Sequence, residues 1–193
     1  MTNQSGEVIP APDADLCLNF ANTRYWRGSA TPSEDVRSLD DLLGWAETAE
    51  RLPAALAQRF AQGSGVLEAA IALRETIHRC FSATASGRAP AGEDLDALNA
   101  ALAEAPARQR VGAGGWDIGT PEPSAASLLA PALWSAADLL VSKQLERVRQ
   151  CSNPQCGWLF LDNSKSGNRR WCSMSACGNR AKAHRHYLRQ KGQ

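Results

Sequence analysis

Apolar residues recur at helical spacing along four long stretches of the chain, and each stretch predicts an α-helix. The stretches cover residues 36–52, 64–85, 92–104 and 124–150. Ser64 lies at a suitable N-cap position for the second helix, and Pro131 predicts a kink or an early break in the fourth. The pattern therefore indicates a mainly α-helical protein.

Short segments between and after these helices predict a few strands. Glycines interrupt residues 107–120, and the flanking segments 108–111 and 116–118 fit a small β-hairpin. Residues 158–162 are aromatic and apolar, which favours a short strand, and a turn-rich loop over 163–168 would lead to a second strand at 169–171. Helical character returns after Cys177.

Length and composition place the chain among ordinary folded proteins. It has 193 residues, of which 44% are hydrophobic and 21% are charged. No apolar run reaches the roughly 18 residues that a membrane-spanning helix needs, and the first residues lack the basic and apolar regions of a signal peptide. We therefore expect a cytoplasmic protein without a membrane partner.

Charge divides the chain into two unequal parts. Residues 1–142 contain 10 arginines, no lysine and 18 acidic residues, a net charge of −8, whereas residues 143–193 contain 11 basic and 2 acidic residues, a net charge of +9. A basic carboxyl-terminal block indicates nucleic acid or another polyanion as partner, although a solvated basic tail is the plain alternative. We predict two domains, over residues 1–145 and 146–193.

Four of the six cysteines stand in two close pairs. Cys151 and Cys156 are separated by four residues, as are Cys172 and Cys177, with fifteen residues between the pairs. Two knuckles joined by a hairpin-length insert can supply four thiolates to one tetrahedral Zn²⁺. The predicted fold is thus a helical domain with a small hairpin, followed by a zinc-bound β-hairpin and helix.

Other readings of the cysteines remain open. Two disulfides are disfavoured in a chain without a signal peptide, and a catalytic zinc would keep one coordination position free, whereas four thiolates close the shell. His184 and His186 could replace a ligand. Cys17 and Cys80 stand among apolar neighbours, which is typical of buried thiols.

Basic residues of the carboxyl-terminal part form two groups that are candidates for contacting nucleic acid. On a helix of 100° per residue, Lys182, Arg185 and Arg189 share one stripe, whereas Arg180 lies on the opposite side. A second group on the predicted hairpin comprises Lys165, Arg169 and Arg170. Both groups are suited to binding phosphates, and lysine and arginine alone do not reveal which bases are read.

The residues around the cysteines closely resemble the CGNR zinc finger, which is named after the motif found here at Cys177 to Arg180. Residues 16–23 and 26–28 are similar to the opening motif of the ABATE domain, and segments 72–75 and 94–99 to its later parts. The resemblance covers nearly the whole chain. It implies a bacterial transcription regulator, described as stress-induced, with a helical amino-terminal domain and a DNA-binding zinc domain that uses the four cysteines. Asn19 departs from the acidic residue expected there.

The opening motif also suggests a ligand site. It mixes hydrogen-bonding groups with an aromatic ring, a composition that can line a small-molecule pocket. The candidate residues are Asn19, Asn22, Thr23, Arg24 and Trp26. The alternative is that Asn22 and Thr23 cap a turn while Trp26 packs. We expect an effector-sensing or dimerising domain, and the predicted continuity of the fourth helix with Cys151 suggests that a ligand could reorient the finger.

No motif for catalysis is present. The chain has no G-x-S-x-G, H-E-x-x-H, P-loop or dinucleotide fingerprint, so we expect a protein that is not an enzyme. The leading hypothesis is a DNA-binding regulator. The alternative is a zinc-stabilised module that binds protein or RNA, and the operator, the effector, the direction of regulation and the oligomeric state stay open.

Overall fold

The computed structural model describes residues 7–191, except for the side chains of residues 184–186, 188, 189 and 191 in the last helix. The described residues form eight α-helices and three small antiparallel sheets, which confirms the mainly α fold class. In chain order the elements are β1 (Val8–Ile9), α1 (Leu16–Ala21), β2 (Arg24–Tyr25), β3 (Ser33–Glu34), α2 (Leu39–Thr48), α3 (Ala54–Phe60), α4 (Val66–Ala85), α5 (Gly92–Glu104), β4 (Arg110–Gly112), β5 (Gly115–Asp117), α6 (Ala125–Leu128), α7 (Ala130–Val141), β6 (Val148–Gln150), β7 (Leu159–Leu161) and α8 (Asn179–Lys191).

Capping residues explain where several helices begin. The Ser38 hydroxyl accepts a hydrogen bond from the Asp41 backbone N–H at 3.1 Å, and Ser124 does the same for Ser127 at 3.0 Å. Pro131 lies in the first turn of α7, where its missing N–H costs nothing. The predicted fourth helix is therefore broken into α6 and α7 near this proline, as expected.

The end of that helix differs from the prediction. Helix α7 ends at Val141, and Ser142 is extended, with ψ at 159°. The Ser142 hydroxyl then accepts from the Gln144 N–H and caps a 3-10 turn over Lys143–Arg147. Strand β6, not a continuous helix, therefore leads into Cys151, and the predicted helical continuity is absent.

The strand pairing also differs from the prediction at the carboxyl end. Strand β7 pairs with β6, which precedes the first cysteine, with Val148 opposite Leu161. Residues 169–171, predicted as the second strand, are not a strand. The Arg170 carbonyl accepts a hydrogen bond from the Ser152 N–H of the first knuckle. The hairpin predicted within residues 107–120 is present as β4 and β5, and β1 extends it to three strands.

Helix α4 packs against α1, α2, α5 and α6 on the one hand and against the β6–β7 hairpin on the other. Helix α1 is almost wholly buried against α4 and α7. Val148, Leu159 and Leu161 belong to the same apolar cluster as these helices, so the hairpin shares the main core. No helix in residues 7–191 is both long and apolar enough to traverse a membrane.

One acidic side chain is buried in this core. Glu50 is 2% exposed; its Oε1 accepts from the Ala132 N–H at 3.1 Å, and its Oε2 has no partner among the described residues. Burial raises the pKa of Glu50 well above its ordinary value, although the hydrogen bond from Ala132 opposes the shift. The native state therefore favours the neutral acid.

We expect Glu50→Gln to remove a pH dependence of stability. Because the native pKa is raised, the wild-type chain loses stability as pH rises above about 4.5 and toward that pKa, by about 1.4 kcal/mol per pH unit within the window. The neutral amide has no such loss, so the melting temperatures of the two proteins should diverge from pH 5 to pH 8, with the variant higher at pH 8. Glu47→Gln, on the exposed face of α2, is the matched control. Parallel curves for wild type and Glu50→Gln would contradict the assignment.

Candidate metal centre

The four clustered cysteines converge on one point. Their sulfur atoms all lie within 4.8 Å of one another, and three of the four cysteines are buried. Tight turns position them. The Cys156 N–H donates to the Asn153 carbonyl at 2.9 Å within the first knuckle, and Cys151 N–H pairs with the Trp158 carbonyl at the same distance.

The spacing of the sulfurs fits a metal and not disulfides. The Sγ atoms of Cys156 and Cys172 are 3.7 Å apart, and those of Cys172 and Cys177 are 3.8 Å apart. A disulfide would bring two sulfurs to about 2.05 Å. Tetrahedral Zn–S bonds of about 2.3 Å place the sulfurs ~3.8 Å apart. The cluster therefore fits one structural Zn²⁺ with four thiolate ligands, as the sequence predicts.

The electrostatics of the cluster call for a cation. Burial, together with the neighbouring Cys151, raises the pKa of Cys156 to about 12, and burial also raises the pKa of Cys172. At Cys177 burial raises the pKa, but hydrogen bonds from the Asn153 amide, whose Nδ2 lies 3.5 Å from the sulfur, and from the three other cysteines together lower the pKa below its ordinary value. Four neighbouring thiolates repel one another, so a divalent ion must accompany their deprotonation.

The first knuckle docks on the amino-terminal segment through its backbone. The Arg27 N–H donates to the Cys156 carbonyl, and the Gly28 N–H donates to the Gln155 carbonyl, both at 3.3 Å. A Cβ on Gly28 would lie 2.1 Å from the Pro154 carbonyl oxygen, so only glycine permits this approach. Gly157, at φ +73°, likewise packs against the Arg27 side chain.

Asn22 connects the same segment to strand β7. Its Nδ2 donates to the Leu159 carbonyl at 2.8 Å, and its Oδ1 accepts from the Leu159 N–H at 2.9 Å. The amide thus occupies the edge of β7 as a neighbouring strand would. Asn22 is 5% exposed, so both bonds are shielded from water.

A buried ionic network connects helix α4 to the segment on which the knuckle docks. Arg74, 1% exposed, forms hydrogen bonds with Glu34, Glu75 and Thr23. Glu75 in turn pairs with Arg27 at 2.6 Å. The network thus extends from Arg74 and Glu75 on α4 to Arg27, which contacts the knuckle, and each charged group in it has a partner of opposite charge.

His78 adds one more contact between α4 and the knuckle. Its Nε2 lies 3.1 Å from the Gly157 carbonyl. Burial and the Arg27 guanidinium lower the pKa of His78 to about 4, so the ring is neutral near pH 7. The neutral ring carries its proton on Nε2 and donates it to Gly157.

The candidate pocket residues are divided among different contacts. Asn19, Asn22 and Thr23 line a cleft of about 190 Å³ together with Trp45 and Trp158. Their polar groups already have protein partners. Asn19 accepts from the Trp45 indole, Asn22 binds Leu159, and Thr23 donates to the Phe20 carbonyl.

The other two candidate pocket residues lie elsewhere. Arg24 lies opposite Glu34 in the antiparallel register of β2 and β3. Trp26, at φ +54°, packs against the cysteine cluster. A small-molecule ligand at this motif stays a prediction, and the visible role of the motif is to hold the finger.

Lys165, Arg170, Arg180 and Lys182 are four of the candidate nucleic-acid residues, and their side chains are exposed. The guanidinium of Arg180 lies 4.5 Å from the Trp26 ring centroid, and that of Arg170 lies 5.4 Å from the Trp171 ring centroid.

Of the remaining members of the basic set, the structure describes only the side chain of Arg169. Arg169 also has a structural contact, because its Nε donates to the Trp171 carbonyl at 2.9 Å and its guanidinium covers Phe160. The side chains of Arg185 and Arg189 lie outside the described residues, as do those of His184 and His186, the alternative ligands.

Sequence reasoning missed several residues that build the site. Gly28, Gly157 and His78 form docking contacts that were not predicted, although Gly28 lies in the segment 26–28 that resembles the ABATE opening motif. Asn153, which supports Cys177, was readable only as a turn former. Glu34 completes the Arg74 network. It lies in strand β3, which no alternating hydrophobic pattern in the sequence predicts.

Comparison with known protein families gives two adjacent matches. Residues 14–143 match the ABATE family, described as "putative stress-induced transcription regulator", and residues 147–190 match the CGNR zinc finger. A search of curated proteins found no match. The two family matches agree with the resemblance seen in the sequence.

We expect the purified chain to hold one zinc per molecule and Cys156→Ser to lose it. Loss of the metal should remove most of the folding free energy of residues 151–178, since structural zinc contributes about 10–16 kcal/mol in apparent terms. Metal content by elemental analysis and melting temperature before and after chelation measure both effects. Cys80→Ser, at a buried cysteine outside the cluster, is the control and should keep its zinc. Equal zinc content in the two variants would contradict the site.

We also expect Asn22→Ala to loosen the finger while leaving its zinc in place. The substitution leaves the Leu159 N–H and carbonyl without their partner, at about 1–3 kcal/mol per buried group. Hydrogen exchange at Leu159 and the unfolding free energy measure this loss. Asn99→Ala, at an exposed position on α5, should change neither. Unchanged protection at Leu159 in Asn22→Ala would show that the docking contact is unimportant.

Proposed function

We propose that this chain, which belongs to the ABATE family and carries a CGNR zinc finger, is a DNA-binding transcription regulator whose zinc centre presents a cationic surface to the phosphate backbone. The family description supports the regulatory role, and the charge distribution supports the polyanionic partner. The function is that of a binding protein, and the four-thiolate shell leaves no open metal position for catalysis.

The observation that carries the proposal is a contrast in how the basic side chains are paired. In the part of the chain that the structure describes, all nine ion pairs lie at or before Asp138. Eight of the ten arginines before residue 143 take part in them. The basic residues after it have no acidic partner among the described side chains.

The buried carboxylate of the finger, Asp162, has Arg149 near it, but its hydrogen bonds are made within its own loop. Asp162 accepts from Ser164 and from the Arg169 backbone N–H at 2.8 Å, and these bonds lower its pKa. It therefore organises the loop 163–168 from within. Lys165, Arg170, Arg180 and Lys182 remain free to neutralise an external polyanion.

Control by the amino-terminal domain is part of the proposal. The contacts of Asn22, Arg27 and Gly28 with the first knuckle and β7 supply a physical route by which a change in the helical domain would move the finger. An effector, or a second copy of the chain in a homodimer, would act by tightening or loosening these contacts. This route replaces the helical continuity that the sequence predicted.

We expect the zinc-loaded chain to bind duplex DNA with a strong dependence on salt. If five phosphates are engaged, log K falls against log salt with a slope of roughly −4.5. Removing one phosphate contact in Lys182→Gln should weaken the slope by about 0.9. Both slopes are measured by fluorescence anisotropy of a labelled duplex at salt concentrations from about 50 to about 200 mM.

Arg88→Gln is the matched control, because Arg88 is exposed and unpaired but belongs to the acidic part of the chain. It should leave the slope unchanged. Structured RNA and heparin serve as competitors. Absence of DNA binding at low salt, or stronger competition by RNA than by unlabelled DNA, would overturn the proposal in favour of an RNA- or protein-binding module.

A further inference from the structure

One cavity near the metal centre is not explained by phosphate binding alone. It measures about 470 Å³ and lies between the first knuckle and the start of α8. Its walls are the knuckle residues 152–155, the Arg170–Trp171 pair, Cys177 and the first turn of α8. This volume falls in the range of pockets that take small organic ligands.

The chemistry of the walls combines two kinds of recognition. Pro154, Trp171 and Ala181 supply apolar surface, whereas Ser152, Asn153 and Gln155 supply uncharged polar groups. Arg170 and Arg180 line the same cavity, each with its guanidinium over an indole ring. No acidic side chain lines it, and neither arginine has a carboxylate partner in the described part of the chain.

A bare phosphate would use the guanidinium groups but not the apolar walls. A nucleotide uses both, because its base is planar and aromatic and stacks on guanidinium or indole planes, while its phosphate accepts from arginine. The four thiolates and Zn²⁺ carry a formal charge of about −2, which repels a phosphate. We therefore expect the nucleobase, and not the phosphate, to lie beside Cys177 in the cavity.

We propose that this cavity, the knuckle pocket, receives one unpaired nucleotide of a nucleic-acid strand held by the surrounding basic residues. A base within an intact duplex cannot enter a cavity of this kind, since it must first leave the stack. The inference rests on the proposed function and narrows its substrate class: the chain should favour DNA that offers an unpaired base, such as a bulge, over a fully paired duplex.

The test compares an intact duplex with the same duplex carrying a single-nucleotide bulge, using the full zinc-loaded chain. We expect wild type to bind the bulged duplex at least about fivefold more tightly, the lower end of what stacking one base contributes. Ala181→Phe fills the knuckle pocket without changing charge and should abolish this preference while keeping the affinity for the intact duplex. Ala183→Phe, exposed on the same helix, is the matched control and should keep both.

Zinc content and melting temperature verify that each variant is folded. If Ala181→Phe does not fold, Ser152→Phe fills the same pocket from the first knuckle. Equal binding of both duplexes by wild type would overturn the knuckle pocket but leave DNA binding intact. A preference retained in both filled variants would overturn it as well. Failure to bind either duplex would overturn the proposed function itself. Binding of free dAMP in titration calorimetry without any bulge preference would reassign the pocket to a mononucleotide.

Discussion

Repulsion among four converging sulfurs is the constraint on which the carboxyl-terminal quarter of the structure depends. Contacts of 3.7 and 3.8 Å between cysteine sulfurs are too long for disulfides and suit a tetrahedral zinc shell. Little regular structure surrounds them, because between β7 and the π-helical turn at Met174–Gly178 the chain has neither helix nor strand. The metal therefore takes the place of a hydrophobic core for this segment, while Asp162 holds the loop that carries Lys165.

The finger is nevertheless packed against the helical domain and is not structurally independent of it. Its hairpin shares the main apolar core, and its first knuckle lies on the segment that contains Asn22, Arg27 and Gly28. The charges of Arg74 and Glu75 hold that segment against α4. The opening motif of the ABATE region is thus explained by its contacts: its polar residues complete the backbone hydrogen bonding of a finger that has too few partners of its own.

The sequence was informative where a pattern is local. Helix periodicity located α2, α4 and α5, the cysteine spacing identified the ligands, and Pro131 marked a real break. It failed where the outcome depends on distant residues. Pairing of β7 with β6 was missed because the sequence pattern includes residues 148–150 in the predicted fourth helix and predicts residues 169–171 as the partner strand. A strand of three residues is selected by the core it joins, which no local pattern reveals. Asn22 was read as a capping or ligand-binding residue, since nothing in its neighbourhood reveals Leu159, 137 residues away.

The coexistence of a paired acidic domain and an unpaired basic finger follows from this arrangement. Arginines of the helical domain are held in ion pairs such as Arg108 with Asp138, so they add little field outside the molecule. Around the zinc, Arg170 and Arg180 lie over indole rings, which orient a guanidinium without neutralising it. Their charge is directed outward while their conformational freedom is reduced before any ligand arrives. An anion that binds there meets preorganised donors, and this favours tight contact with a nucleic-acid strand over loose attraction to a basic tail.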